Sequence, residues 1–275
     1  MLKLFGCLLA LCLASSPAQA DIWESAAVGD CNALEMYLAN GESVDARYHQ
    51  KELTPLQFAV HQGQVKAALL LLEAGADILA RDADGKTALH WAAMGQAEAT
   101  QALLNAGADP DIADNGGGTP LHEAAYSGAV EVMRALFARG AHANVQDEYG
   151  WTPLHEAAAG GHVQCMAFLI SRKADVNMRD RQGSTPLHAA AINGMAEAVQ
   201  LLLENGADAK LTMEDGATAM HLAAESGNAL CIRLLAAAGG DVNARDREGW
   251  TPLRWAMQKG KRQAARQLRS LGGTR

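Results

Sequence analysis

The chain has 275 residues, of which 49 % are hydrophobic and 20 % charged, and its formal net charge is -8. That apolar content excludes a disordered chain, and the acidic balance argues against nucleic acid, which requires a basic face. Aromatics make up only 5 %, beside abundant Ala and Leu, a mix suited to closely packed helices.

Residues 1–20 read as a separate element. Lys3 gives a positive start, Leu4 to Ala14 is apolar but too short to span a bilayer, and Ala18-Gln19-Ala20 has the A-x-A form of a cleavage site. Together they predict a secretory signal peptide removed after Ala20. The expected destination is periplasmic or secreted, with no transmembrane segment in residues 21–275.

Residues 21–53 keep an apolar helical pattern through Ile22, Ala26, Ala27, Leu34 and Leu38, and read as a degenerate N-terminal cap. Beyond it, Thr recurs at 54, 87, 119, 152, 185, 218 and 251, at intervals of 33 residues and once 32. A fixed period of that size predicts a solenoid of stacked supersecondary units. The units are expected at 54–86, 87–118, 119–151, 152–184, 185–217 and 218–250, with 251–275 as the C-terminal cap.

Each unit reads as two helices and a turn. In Thr152-Pro153-Leu154-His155-Glu156-Ala157-Ala158 the Thr caps a helix, Pro occupies the first helical position where no N–H is needed, and Leu154, Ala157 and Ala158 make an apolar face. Gly160-Gly161 ends that helix, and Cys165, Met166, Phe168, Leu169 and Ile170 form the second. A left-handed cap follows, usually Gly but Lys173 in one unit. Next comes an Asp-x-x-Gly turn such as Asp147-Glu148-Tyr149-Gly150, expected to protrude as a finger. Two irregularities stand out. The second unit lacks one residue between Met94 and Gly95, and Met213 replaces the finger Asp.

The run Thr119-Pro120-Leu121-His122-Glu123-Ala124, repeated at 152–157 and 185–190 with variants at Thr54, Thr87, Thr218 and Thr251, resembles the signature of the ankyrin-repeat family. The fold class this implies is all-α with short β-turn fingers, an ankyrin-repeat solenoid of about seven repeats plus a degenerate N-terminal cap. The resemblance also implies binding of macromolecules through finger tips and the exposed side of the first helices, which line a concave face.

No catalytic, metal or cofactor site is expected. His90, His122, His155, His188 and His221 form a ladder, but rungs roughly 8–10 Å apart cannot share a zinc whose Zn–N bonds are about 2 Å. Their position instead suits bonds to the capping Thr and to the backbone of the adjacent unit. There is no G-x-S-x-G or H-E-x-x-H motif, and Gly116-Gly117-Gly118 falls within a finger. Cys165 and Cys231 lie two units apart, beyond the ~7 Å Cα limit of a disulfide. With Cys31 they read as thiols acting as small hydrophobes.

What remains is a surface. The candidate protein-binding residues are Tyr149, Trp151, Trp250 and Lys86 on fingers, and Trp91, Trp255, Tyr126, Glu123 and Glu156 on first helices. Tyr and Trp on polar tips are typical interface anchors, although Trp151 and Trp250 can also cover a neighbouring finger. The expected partner is another exported protein, held without turnover. The alternative is a small-molecule sensor or an enzyme using an unrecognised groove site. From Arg245 onward nine Lys and Arg oppose only Asp246 and Glu248. This end reads as a solvated cap, or as a patch able to contact an acidic surface.

Overall fold

The computed structural model describes residues 21–274, so the predicted signal peptide lies outside the described residues. Among these there are sixteen α-helices, one 3-10 turn and no sheet, only two isolated bridges. They divide into two compact units, the first ending at Asp109 and the second beginning at Pro110.

The first unit contains three helix pairs: α1 (Ile22–Val28) with α2 (Cys31–Ala39), α3 (Pro55–His61) with α4 (Val65–Glu73), and α5 (Ala88–Ala93) with α6 (Ala97–Asn105). First helices pack on first helices, α1 on α3 on α5, and second helices on second helices. The core between the layers is Ile22, Ala26, Leu34, Leu56, Ala59, Leu71, Leu89 and Leu103, all essentially inaccessible. α5 is only six residues long; the residue missing before Gly95 is taken from its last turn. The expected degenerate finger is a 3-10 turn at His49–Lys51 closed by Tyr48 N–H donating to Leu53 C=O at 2.9 Å. Tyr48 is half-buried there and packs edge-on against Trp23 and Phe58.

The second unit repeats the pattern with five pairs: α7 (Pro120–Ser127) and α8 (Val130–Ala138), α9 (Pro153–Gly160) and α10 (Val163–Ser171), α11 (Pro186–Ile192) and α12 (Ala196–Glu204), α13 (Ala219–Ser226) and α14 (Ala229–Ala237), α15 (Pro252–Gln258) and α16 (Arg262–Ser270). The alanines at 124, 125, 157, 158, 190, 191, 223 and 224 are fully buried, which is how first helices approach closely. Cys165 and Cys231 are buried in the second layer, Cys31 is half-buried, and all three are free thiols. Burial pushes the Cys165 and Cys231 thiols up to about 11, so they behave as apolar side chains.

Fingers are built by backbone geometry. Asp147 N–H donates to Trp151 C=O at 2.9 Å, Gly150 N–H to Asp147 C=O at 3.0 Å, and the Asp147 carboxylate accepts from the Tyr149 and Trp151 amides. Gly150 is left-handed at φ 83, and a Cβ there would lie 2.9 Å from the Arg181 amide nitrogen of the next finger. Neighbouring fingers are tied by single backbone bonds: Glu148 N–H to Gly116 C=O, Arg181 to Tyr149, Glu214 to Gln182 and Arg247 to Asp215, at 2.7–3.0 Å. Met213 removes the side-chain acceptor from one finger. Its backbone still closes the turn, and Asp215 supplies a carboxylate to the Ala217 amide at 2.9 Å.

Lys173 takes the left-handed cap after α10 at φ 69, where the corresponding positions 75, 107, 140, 206, 239 and 272 are glycine. A Cβ in that conformation costs on the order of 1 kcal/mol. Lys173→Gly should therefore raise the denaturant midpoint of the protein by an amount equivalent to about 1 kcal/mol. A lower midpoint would show that the lysine side chain makes compensating contacts.

Candidate functional site

The first helix of each repeat begins with a bracket between the capping Thr and the residue three positions on. In five repeats that residue is His. The Thr backbone N–H donates to imidazole Nδ1 at 3.1–3.2 Å, and the Thr hydroxyl lies 2.8–3.0 Å from the same nitrogen. Because Nδ1 accepts, the proton of the neutral ring sits on Nε2. In the second unit that Nε2–H donates to the last finger residue of its own repeat rather than to the adjacent one: His122 to Trp151 C=O at 3.1 Å, His155 to Ser184 C=O at 3.2 Å, His221 to Trp250 C=O at 3.0 Å. In the first unit Gln57 reproduces the arrangement with an amide. Its Oε1 accepts from Thr54 N–H at 2.7 Å and its Nε2 donates to Lys86 C=O at 2.9 Å.

Burial holds His122, His155 and His221 below the usual imidazole range. Burial, reinforced by the charge of Arg179, lowers His188 to about 4. The Leu211 and Ala217 backbone lies close enough to oppose that shift in part, but neither carbonyl meets Nε2 in hydrogen-bonding geometry. Unfolded imidazoles take up protons near pH 6.5 while these folded rings resist. The linked stability is therefore complete above that pH and declines as pH falls, toward about 4 for His188. Such groups are structural. Among the described residues no three His, Cys, Asp or Glu are grouped to hold a metal ion.

The tryptophans also serve this frame. Trp91 and Trp255 each donate the indole N–H to the finger Asp of the preceding repeat, nine residues back, Asp82 at 2.9 Å and Asp246 at 2.7 Å. Trp151 donates forward to Asp180 of the next finger at 3.0 Å, and its ring lies over His155 at 5.7 Å. The Trp250 ring is covered by the Arg254 guanidinium at 4.0 Å. Trp91 is only 8 % exposed, so its ring presents little to a partner. Burial raises the Asp82 carboxyl, against bonds from the Lys86 amide and Trp91 that lower it. Sequence reading missed the aspartate partners of these indoles; the nine-residue interval from finger Asp to Trp is the signal that would have revealed two of them.

The tyrosines differ. Tyr149 is 66 % exposed at a finger tip and Tyr126 51 % exposed on α7. Glu123 and Glu156 are half-buried in the first turns of α7 and α9, where the helix N-terminus favours a carboxylate. Lys86 is half-buried, its ammonium 5.9 Å from the Trp91 ring centre. Exposed Arg181 continues the finger row beside Tyr149, whereas Ser184 and Ala217 at finger ends are buried. On the second helices an open groove of about 760 Å³ lies between α8 and α10, with Arg134 and Arg172 stacked 5.0 and 5.1 Å from the Phe168 ring centre. Phe168 is itself 8 % exposed, so the cations cover its ring and leave little apolar floor for a small molecule.

Comparison with known proteins agrees with this geometry. A family model described as "Ankyrin repeats (3 copies)" matches residues 22–114, 80–147, 121–213 and 187–274. Among solved structures, the human ASB11 ankyrin repeat domain is 29 % identical with a TM-score of 0.74, over 81 % of this chain and 100 % of that one. Among curated proteins, palmitoyltransferase Hip14 of Drosophila melanogaster is 40 % identical over 57 residues, 21 % of this chain and 9 % of that protein. The chain thus spans a small part of that relative, and its transferase activity does not carry over.

The two aromatic classes should separate in stability measurements. Tyr149→Ala should change unfolding free energy by no more than about 0.5 kcal/mol, as an exposed substitution. Trp151→Ala, which strips cover from His155 and a bond from Asp180, should cost about 2 kcal/mol or more. Equal costs would mean that Tyr149 also belongs to the frame.

Proposed function

Because this chain belongs to the ankyrin-repeat family, whose repeats are generally protein–protein interaction modules, we propose that it is an exported scaffold. It binds another exported protein through finger tips and the exposed side of its first helices, without catalysis. The observation that carries this reading is Tyr149. Its side chain is exposed while the backbone beneath it is fixed by Asp147, Gly150 and the bond from Arg181. A large amphipathic ring on a rigid base loses little entropy when a partner covers it. Tyr126, Glu123 and Glu156 extend the surface within the same unit, and half-buried Trp151, Trp250 and Trp255 contribute the ring faces that the frame leaves accessible.

Export rests on the sequence of residues 1–20, with Lys3, the apolar run to Ala14 and the Ala18-Gln19-Ala20 site. A periplasmic or secreted location is the consequence. Among the described residues no helix is long and apolar enough to cross a membrane.

The test is affinity capture from periplasmic extract with the protein isolated from that compartment, beginning at Asp21. Wild type should retain a partner that Tyr149→Ala binds at least ~10-fold more weakly, about 1.4 kcal/mol of a hot-spot contact. Recovery of the same partners at equal affinity would remove Tyr149 from the interface.

A further inference from the structure

We propose that the exposed face of α16, with Arg262, Arg266 and Arg269, docks onto an anionic lipid surface. The inference uses a different part of the molecule from the finger surface and stands or falls independently of it.

The charges are segregated along the chain. After Glu248 there is no Asp or Glu but seven Lys and Arg, whereas residues 1–248 hold all 31 acidic residues against 16 basic ones. In the structure Arg262, Arg266 and Arg269 are all exposed, while Ala264, Ala265 and Leu268 face the core. At 1.5 Å per residue the three arginines span about 10 Å of one helix side. The side chains of Arg262 and Arg266 have no hydrogen-bond or ion-pair partner among the described residues, and the Arg269 guanidinium meets only the Met257 sulfur at 3.5 Å.

This arrangement opposes the helix's own electrostatics. Arg262 and Arg266 are four apart and Arg266 and Arg269 three apart, spacings at which like charges repel. Lys261 and Arg262 stand at the positive end of the helix dipole. Three of the other seven second helices carry a glutamate in that first turn, Glu98 in α6, Glu131 in α8 and Glu197 in α12, and none of the seven carries an arginine there. A solvated surface needs charge but not a single sign, and interspersed Glu and Lys would serve solubility while adding favourable pairs. A run of one sign held against repulsion fits an anionic surface that neutralises it.

A lipid headgroup layer fits better than a protein surface. The cations lie along the outward side of one helix, and each is a rigid planar fork on a flexible stem, suited to phosphate oxygens. Met257 and Leu271, each 37 % exposed, flank them with apolar surface that can enter the headgroup region. The acidic remainder of the chain is repelled by the same layer, which restricts contact to this end. Nearby, Lys259 is already paired with Glu225 and Arg254 lies over Trp250, so the docking charge rests on the α16 row.

The test is co-sedimentation of the purified protein with phosphatidylcholine vesicles, with and without phosphatidylglycerol. Binding should require phosphatidylglycerol and weaken with added salt. Each arginine removed should lower partitioning about fivefold, so Arg262→Gln/Arg266→Gln should lose about 25-fold. Lys66→Gln/Lys210→Gln, the same charge change elsewhere, should bind as wild type. Circular dichroism should show the arginine variant equally helical. No binding to either vesicle, equal binding to both, or an equal loss in the two variants would overturn the proposal. So would sedimentation of vesicle-free protein as oligomers that the arginine variant abolishes, because the row would then contact a second copy.

Discussion

The bracket between the capping Thr and the His or Gln three residues later, present at six of the seven Thr-capped helices, is the interaction on which the rest of the structure depends. It does three things with one side chain. It satisfies an amide at the helix start that would otherwise be orphaned, it fixes which imidazole nitrogen carries the proton, and in the second unit it directs that proton to a carbonyl at the base of the finger that closes the same repeat. Local capping and the tie between a repeat's first helix and its closing finger, next to the following capping Thr, are thus the same interaction. Each such bond contributes only about 1 kcal/mol, but the groups involved are buried, and a buried donor left without its acceptor costs more than the bond is worth.

From the bracket the finger follows. The carbonyl that accepts from His155 belongs to Ser184, the last residue of the Asp180 finger, and Asp180 also accepts from the Ser184 amide and the Trp151 indole. The finger is therefore held at its base by the first helix of its own repeat and along its edge by the next finger. This leaves only the tip residues free to vary. Tyr149 and Arg181 occupy such tips. A surface of this kind recognises a partner with side chains mounted on fixed backbone, and the accessible chemistry is that of binding.

Much of this was legible in the sequence because it depends on local chemistry repeated in register. Thr before Pro, His at the fourth position, Gly after the second helix and Asp-x-x-Gly in the turn each specify a backbone state, and the period of 33 requires the states to stack. The place of Lys173 in a left-handed cap was readable for the same reason, since the corresponding positions are glycine. What was not legible were contacts set by the stacking itself. Trp151 read as an interface anchor that could also cover a neighbouring finger, but not as a donor to an Asp 29 residues away. Trp91 looked like a groove residue, yet its hydrogen bond to Asp82 and its packing against His61 leave it buried. The unpartnered Nε2 of His188 is likewise invisible until the Met213 finger is placed beside it.

Imidazole ¹⁵N–¹H correlation spectra, recorded at neutral pH and through an acid titration, test the bracket most directly. The account predicts that His122, His155 and His221 are neutral with the proton on Nε2, and that His188 stays unprotonated until the pH is well below 6.5, toward about 4. Protons on Nδ1, or ladder histidines that ionise together at the ordinary imidazole value, would contradict it.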